Sequence, residues 1–238
     1  MVIFDKNIKV TLGKVILIIL LVILVASVVM YLWIDDPSDM WGAFFGSLGA
    51  GMIVAIIQYL IAWQDYKQTE KLKELKLVEI LNNRRENEQY GEYIKSATRN
   101  LDVMGSTAVR LFRDFADTTK GAPESTKVLI NALDRKIKVR ILLPKEEYLI
   151  SDDKRLDAKE VKAKYTELKK TYDNIEIRYF DHKAAHSIFR IDDTCIIGPI
   201  FPTIESRNTP ALHVMSSSPM AVNYLDYYEL EWAKATSV

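Results

Sequence analysis

The chain has 238 residues, with 32 basic and 32 acidic side chains, three histidines and one cysteine. A net charge of zero supplies no global field to draw it to nucleic acid or an anionic surface, and a lone cysteine, Cys195, excludes an intrachain disulfide framework or a cysteine zinc cluster. The apolar residues crowd into the first quarter, leaving room for one soluble domain of ordinary size after a membrane part.

In chain order, residues 1–14 are a short segment carrying Lys6, Lys9 and Lys14. Residues 15–34 are an apolar run of about twenty residues, the length that spans hydrocarbon as a helix. No small-x-small cleavage pattern follows the run, so it reads as a span rather than a signal peptide. Residues 41–63 form a second span bracketed by Trp41 and Trp63, and the acidic linker 35–40 makes the turn of a hairpin. Lysines before the first span and after the second (Lys67, Lys71, Lys73, Lys76) orient both termini to the cytoplasm. Gly42 and Gly46 form a GxxxG pair, with Gly49 and Gly51 beyond; this small stripe packs either on the first span or on a second copy. Gln58 is a polar side chain at depth, read as an interhelical hydrogen-bonding residue in preference to a pore-lining one. Neither span carries a charged residue or histidine, which argues against a transporter or proton relay.

Residues 64–95 are rich in Lys and Glu, with Leu72, Leu75, Val78 and Leu81 at helical spacing, and read as a helical connector continuing the second span. From 96 to 238 strands alternate with helices: strand 101–104, helix 107–115 capped by Ser106, helix 126–135, strand 138–143, helix 156–172, strand 175–179, hairpin 187–198 and helix 221–235. The expected class is α/β: two N-terminal transmembrane helices, a helical connector, then a mixed sheet flanked by helices.

The chemistry centres on HSIFRIDDTCIIGP, residues 186–199, two short strands around an Asp192-Asp193 turn. His186, Ile188 and Arg190 alternate onto one face. This hairpin resembles the active-site motif of the phospholipase D superfamily, in which H-x-K is followed after four residues by Asp and then by a strand ending in Gly-Ser. Here Ile188 stands at the lysine position, Asp193 at the aspartate position, and the return strand ends about two residues early in Gly-Pro. The resemblance extends through RNLDVMGST, LINALDRKIKVRILLP and YYELEWAKA, from about 97 to 235. It implies a phospholipase D-like domain with one degenerate motif copy, working as a homodimer or higher homo-oligomer.

In that family a histidine attacks phosphorus and lysines hold the phosphate charge. With Ile188 in place of lysine the transition-state charge has no clamp, so binding rather than catalysis is expected, with His186 the nucleophile should activity remain. Candidate ligand contacts are His186, Arg190, Ser106, Arg207, Asn208 and His213. Ser187 joins them at the hairpin, and Ser106 offers amides at a helix N-terminus. Arg140 reads as a salt-bridged structural arginine, His182 as an exposed turn residue, and His213 as divided between core and pocket. No metal site and no cofactor are expected. The two spans joined to such a domain resemble the two-span effectors of bacterial antiphage systems that signal with cyclic nucleotides. That likeness implies an inner-membrane sensor-effector of a prokaryote, binding a cyclic di- or oligonucleotide or another phosphodiester, with the bilayer and a nucleotide cyclase as partners. The alternatives are an active membrane-surface phosphodiesterase, phospholipase or nuclease, and a non-catalytic scaffold.

Overall fold

The computed structural model describes residues 2–34, 39–85 and 87–237, and the side chains of 13–34, 39–85 and 88–237. The chain divides into two compact units between Leu72 and Lys73.

The first unit holds α1 (Val2–Leu32) and, up to Leu72, α2 (Met40–Glu74). Both are long and apolar enough to cross a membrane. The expected acidic turn falls largely on 35–38, and the side chains of Lys6 and Lys9 on 2–12, all outside the described residues. The glycine stripe packs within the chain: Gly49 faces the Ser27 hydroxyl and Gly46 faces the Tyr31 ring. Small residues there let the two backbones approach closely. Near the other ends of the two helices the Tyr59 hydroxyl donates to the Gly13 carbonyl at 2.6 Å.

The connector departs from expectation. The helix ends at Glu74 rather than running to 95. Lys76 takes a left-handed φ of 51°, Leu77–Leu81 forms strand β1, and Asn87–Ser96 forms α3. The spacing of three is a helical one; the strand uses instead the short apolar run of Leu77, Val78, Ile80 and Leu81. Pairing with the open edge of β7 (Ala211–Met215) decides for the strand by satisfying backbone groups that a solvated helix would not bury.

The second unit is a mixed eight-stranded sheet. Its remaining strands are β2 (Asn100–Met104), β3 (Lys138–Pro144), β4 (Ile175–Phe180), β5 (His186–Ile191), β6 (Thr194–Pro199) and β8 (Thr236–Ser237). The order is β1-β7-β6-β5-β2-β3-β4-β8; β2, β3 and β4 run parallel and the other pairings are antiparallel. One face is covered by α3, α4 (Val109–Phe115), α5 (Val128–Asp134) and α6 (Asp152–Lys169), whose Ile94, Phe112, Leu129 and Val161 pack on Leu101, Val139, Ile141 and Ile177. The other face is covered by α7 (Pro219–Lys234), which lays Tyr228 and Trp232 over Met104, Leu142, Phe180 and Ile188. Ser218 caps α7, accepting from the Ala221 amide at 2.9 Å, with Pro219 in the first turn. The α/β class and its two apolar leading helices therefore match the sequence reading.

Candidate functional site: an arginine-lined cleft

The hairpin forms as read, with His186 opposite Pro199, Ser187 opposite Gly198 and Ile191 opposite Thr194. Asp192, at φ 47°, fastens the turn to the start of β2. Its carboxylate accepts from the amides of Thr98, Arg99 and Asn100 at 2.8, 2.9 and 3.0 Å, and from the Thr98 hydroxyl at 2.8 Å. Burial opposes that charge, but the amide donors outweigh it and hold the carboxyl below the usual carboxylate range. Asp193, at the motif spacing, is exposed, pairs with Arg99 at 2.7 Å and sits at the turn, the opposite end of the hairpin from His186.

His186, Ile188 and Arg190 share the face covered by α7. The His186 ring meets the Tyr224 and Tyr227 rings edge-on at 5.2 and 5.8 Å. Ile188 is buried among Met104, Leu142 and Tyr228. Arg190 donates to Asp102 at 3.3 Å within an ion network, where Arg140 makes bonds of 2.7 and 2.9 Å to Asp102 and of 2.9 and 2.6 Å to Glu229. Arg140 also lies over the Tyr228 and Trp232 rings, so it is structural, as read from the sequence. Arg190 likewise serves this network under α7. His213 lies on the opposite face, its Nδ1 3.3 Å from the Tyr93 hydroxyl, and burial pushes its pKa down against the pull of Glu79. The His182 turn is half-exposed, with Nε2 3.0 Å from Glu231.

The other face of β5 carries Ser187 and Phe189, and there the cleft lies. Its floor is Arg84, which sequence reading left inside the connector. Arg84 is 7% exposed. Its amide donates to the Arg207 carbonyl at 2.8 Å, and its guanidinium to the hydroxyls of Ser187 and Thr209 and, at 3.1 Å, to the Pro199 carbonyl. Its Nε is buried and finds no partner among the described residues. Burial is the largest influence on its pKa and lowers it, with Tyr90 opposing and the Arg110 charge adding; an arginine stays charged regardless. Burial also pushes the Tyr90 phenol up to about 12. Arg84 requires Gly198: a Cβ there would stand 3.1 Å from its Cζ and Nη1.

Around this floor the chain stitches three segments together. Arg110 on α4 donates to the Arg84 carbonyl at 2.8 Å, and Arg85 donates to Asn208 Oδ1 at 2.8 Å. Arg85, Arg110, Arg113, Arg207, Asp114 and Asn208 line an outer cavity of about 550 Å³. An inner cavity of about 260 Å³ is lined by Arg84, Ser106, Ser187, Phe189 and Arg207, among others. Ser106 is on this wall but is not the helix cap: α4 begins at Val109 after Ala108 in a left-handed conformation, φ 54°, with no side-chain cap. Of the sequence candidates, Ser106, Arg207 and Asn208 are brought together, whereas His186, Arg190 and His213 lie elsewhere. The signal available for Arg84 and Arg85 was their adjacency in a segment otherwise read as solvated charge; Gly198 gave no sign that it receives a guanidinium.

No protein family and no curated protein matches the chain. Among solved structures it is similar to TrmBL2, an archaeal chromatin protein whose structure shows a novel mode of DNA binding. The identity is 15% over 82% of this chain and 70% of that one, with a TM-score of 0.45. It is also similar to NucT from Helicobacter pylori, at 13% identity over 63% of this chain and 89% of that one, with a TM-score of 0.40. Among the described residues no group of His, Cys, Asp or Glu is arranged to hold a metal ion.

Proposed function

We propose that this chain is a membrane-anchored sensor-effector whose soluble unit, a degenerate phospholipase D-like domain, binds a phosphodiester ligand in the arginine cleft. The carrying observation is the convergence of Arg84, Arg85, Arg110, Arg113 and Arg207 on two adjoining cavities, where the lining carboxylates are Asp114, Asp157 and Glu205. A surplus of guanidinium groups, one of them buried, favours an anion that accepts several planar, bidentate bonds, and phosphate esters fit that chemistry. Support for the phospholipase D-like reading comes from the hairpin mouth, where the His-Ser and Gly-Pro dipeptides pair directly. The two residues missing from the motif spacing both fall after Asp193, on the return strand.

The ligand in this reading is a cyclic di- or oligonucleotide made by a partner cyclase. Its binding shifts the packing of the two spans in an inner membrane, acting in antiphage defence through a homodimer or larger assembly with both termini cytoplasmic. Catalysis through His186 is less favoured. The described residues lining the groove beside it include Ile80, Ala185, Pro199, Phe201, Met220 and Tyr224, which offer no charge to a phosphoryl transition state.

The test is thermal unfolding of the full chain in lipid nanodiscs against a panel of cyclic di- and oligonucleotides. Ligand at a hundred times its Kd adds about 2.7 kcal/mol. The shift should vanish in Arg207→Ala, whose side chain is half-exposed and makes a local bond to Glu205. No shift with any nucleotide refutes the reading, and phosphodiester cleavage abolished by His186→Ala would replace it with the enzymatic one.

A further inference from the structure

The arginine cleft does not end at its inner cavity. A third cavity, of about 130 Å³, adjoins it and shares Ser106, Lys154, Glu205 and Ser206 with it. The outer and inner cavities share Arg110, Arg113 and Arg207. The three therefore adjoin in series, the inner cavity sharing Arg207 with the outer one and Glu205 and Ser206 with the third.

The lining changes character along the cleft. At the outer end stand Arg85, Arg110, Arg113 and Arg207, of which Arg110 pairs with Asp114, Arg113 with Asp157 and Glu160, and Arg207 with Glu205. At the far end the walls include Tyr148, Leu149, Ile150, Phe201 and Ile204, with Lys154, Lys183 and Glu205 also on the lining. Ile150, Phe201 and Ile204 are 54%, 44% and 47% exposed, so large apolar side chains stand open to water around a concavity. Exposed apolar rims of this kind mark binding surfaces. The walls are also built rather than loose. Phe201 bridges to Ile204, the Asn208 amide donates to the Glu205 carbonyl at 2.8 Å, and the Thr209 hydroxyl donates to the Ser206 carbonyl at 2.8 Å. An apolar cavity of roughly 150 Å³ holds one benzene ring, so the far end matches a single planar ring in size.

We infer that the cleft takes a phosphate ester carrying a planar ring at the end remote from its charge, with Arg85, Arg110 and Arg207 on the phosphate and Tyr148, Phe201 and Ile204 around the ring. This rests on the arginine-cleft reading above and adds the orientation and the second recognition element. It makes specificity a property of the 144–151 and 200–206 loops, while the arginines supply attraction common to phosphates.

The experiment uses the full chain in phosphatidylcholine nanodiscs and calorimetric titration with three probes: ribose 5-phosphate, uridine 5′-monophosphate and dihexanoyl phosphatidic acid. The first two carry the same phosphate and differ by the ring; the third offers flexible acyl chains instead. The expected result is at least tenfold tighter binding of the nucleotide than of the sugar phosphate. Ile204→Ser and Tyr148→Ala should each erase most of that gain and leave sugar-phosphate binding unchanged, whereas Arg207→Ala weakens both. Equal affinity for the first two probes, equal losses in the Ile204→Ser variant, or tighter binding of phosphatidic acid overturns the inference while leaving the cleft as an anion site. Failure of all three probes to bind overturns the cleft reading and the inference with it.

Discussion

Gly198→Ala tests whether the cleft floor is built on the close approach of Arg84 to the β6 backbone. The added methyl would stand 3.1 Å from Arg84 Cζ, 3.1 Å from Arg84 Nη1 and 3.1 Å from the Pro210 carbonyl oxygen. Non-bonded carbon contacts settle at about 3.5–4.0 Å, so something must move by several tenths of an ångström. The carbonyl belongs to the backbone just before β7. The guanidinium can yield only by straining its bonds to Ser187, Thr209 and the Pro199 carbonyl. Overpacking of this kind costs about 1–3 kcal/mol. For a domain of this size each kcal/mol moves Tm by roughly 2–4 °C, so a fall of roughly 2–12 °C is expected. Overpacking elsewhere could give the same fall, so the deciding assay is a double-mutant cycle with Arg84→Lys, followed by thermal and denaturant unfolding. Lysine has no guanidinium carbon at the point of contact. Gly198→Ala should therefore cost about 1 kcal/mol less in the Arg84→Lys background, within the usual range for residues in contact. What remains there reports the Pro210 contact. Effects that add to within about 0.5 kcal/mol would refute the argument that Gly198 exists to admit Arg84.

Asp102→Asn should destabilise the second unit by about 2–3 kcal/mol in denaturant unfolding, because it removes the buried counter-charge of Arg140 and Arg190 while Glu229 still pairs with Arg140; Arg190→Ala should cost clearly less, since that side chain is 27% exposed and makes a single 3.3 Å bond to Asp102. A smaller loss for Asp102→Asn than for Arg190→Ala would contradict the network as described. Burial alone would lower the His182 pKa, but the bonds to the Lys183 carbonyl and Glu231 outweigh it and raise the pKa. The resulting stabilisation is complete below the unfolded value of about 6.5 and is lost as pH rises through the folded value. Melting curves from pH 5.5 to 8.5 should show this decline, small because the ring is half-exposed, and Glu231→Gln should flatten it. In the first unit, a Cβ at Gly13 would run into the Trp63 ring and fall 2.8 Å from the Tyr59 hydroxyl. Gly13→Ala should therefore lower the thermal stability of the helix pair measured by circular dichroism in micelles; an unchanged melt would show that the helices do not need this contact.

How far the sequence could be read follows from how local each signal is. Span length, strand alternation, the Asp192-Asp193 turn and the closing helix are properties of contiguous residues, and the helices and strands lie close to the expected positions. Residues 64–95 misled because the helical spacing of Leu72, Leu75, Val78 and Leu81 overlaps a short apolar run, 77–81, that can also form a strand, and only the free edge of β7, about 130 residues along the chain, selects the strand. The site shows the same divide. Alternation alone establishes that His186, Ile188 and Arg190 share one face of β5. It is silent on which layer covers that face, and α7 packing there with Tyr224, Tyr227 and Tyr228 places the cleft on the reverse side. Arg84 meets Ser187 across 103 residues and Thr209 across 125. A charged residue in a polar segment carries no local mark of such a burial, because what offsets its desolvation is a set of hydrogen-bond acceptors that only the folded sheet assembles. The sequence by itself determined that the chain has two apolar helices and an α/β domain with a tight hairpin at 186–199; the tertiary structure alone decided which face of that hairpin gathers the arginines.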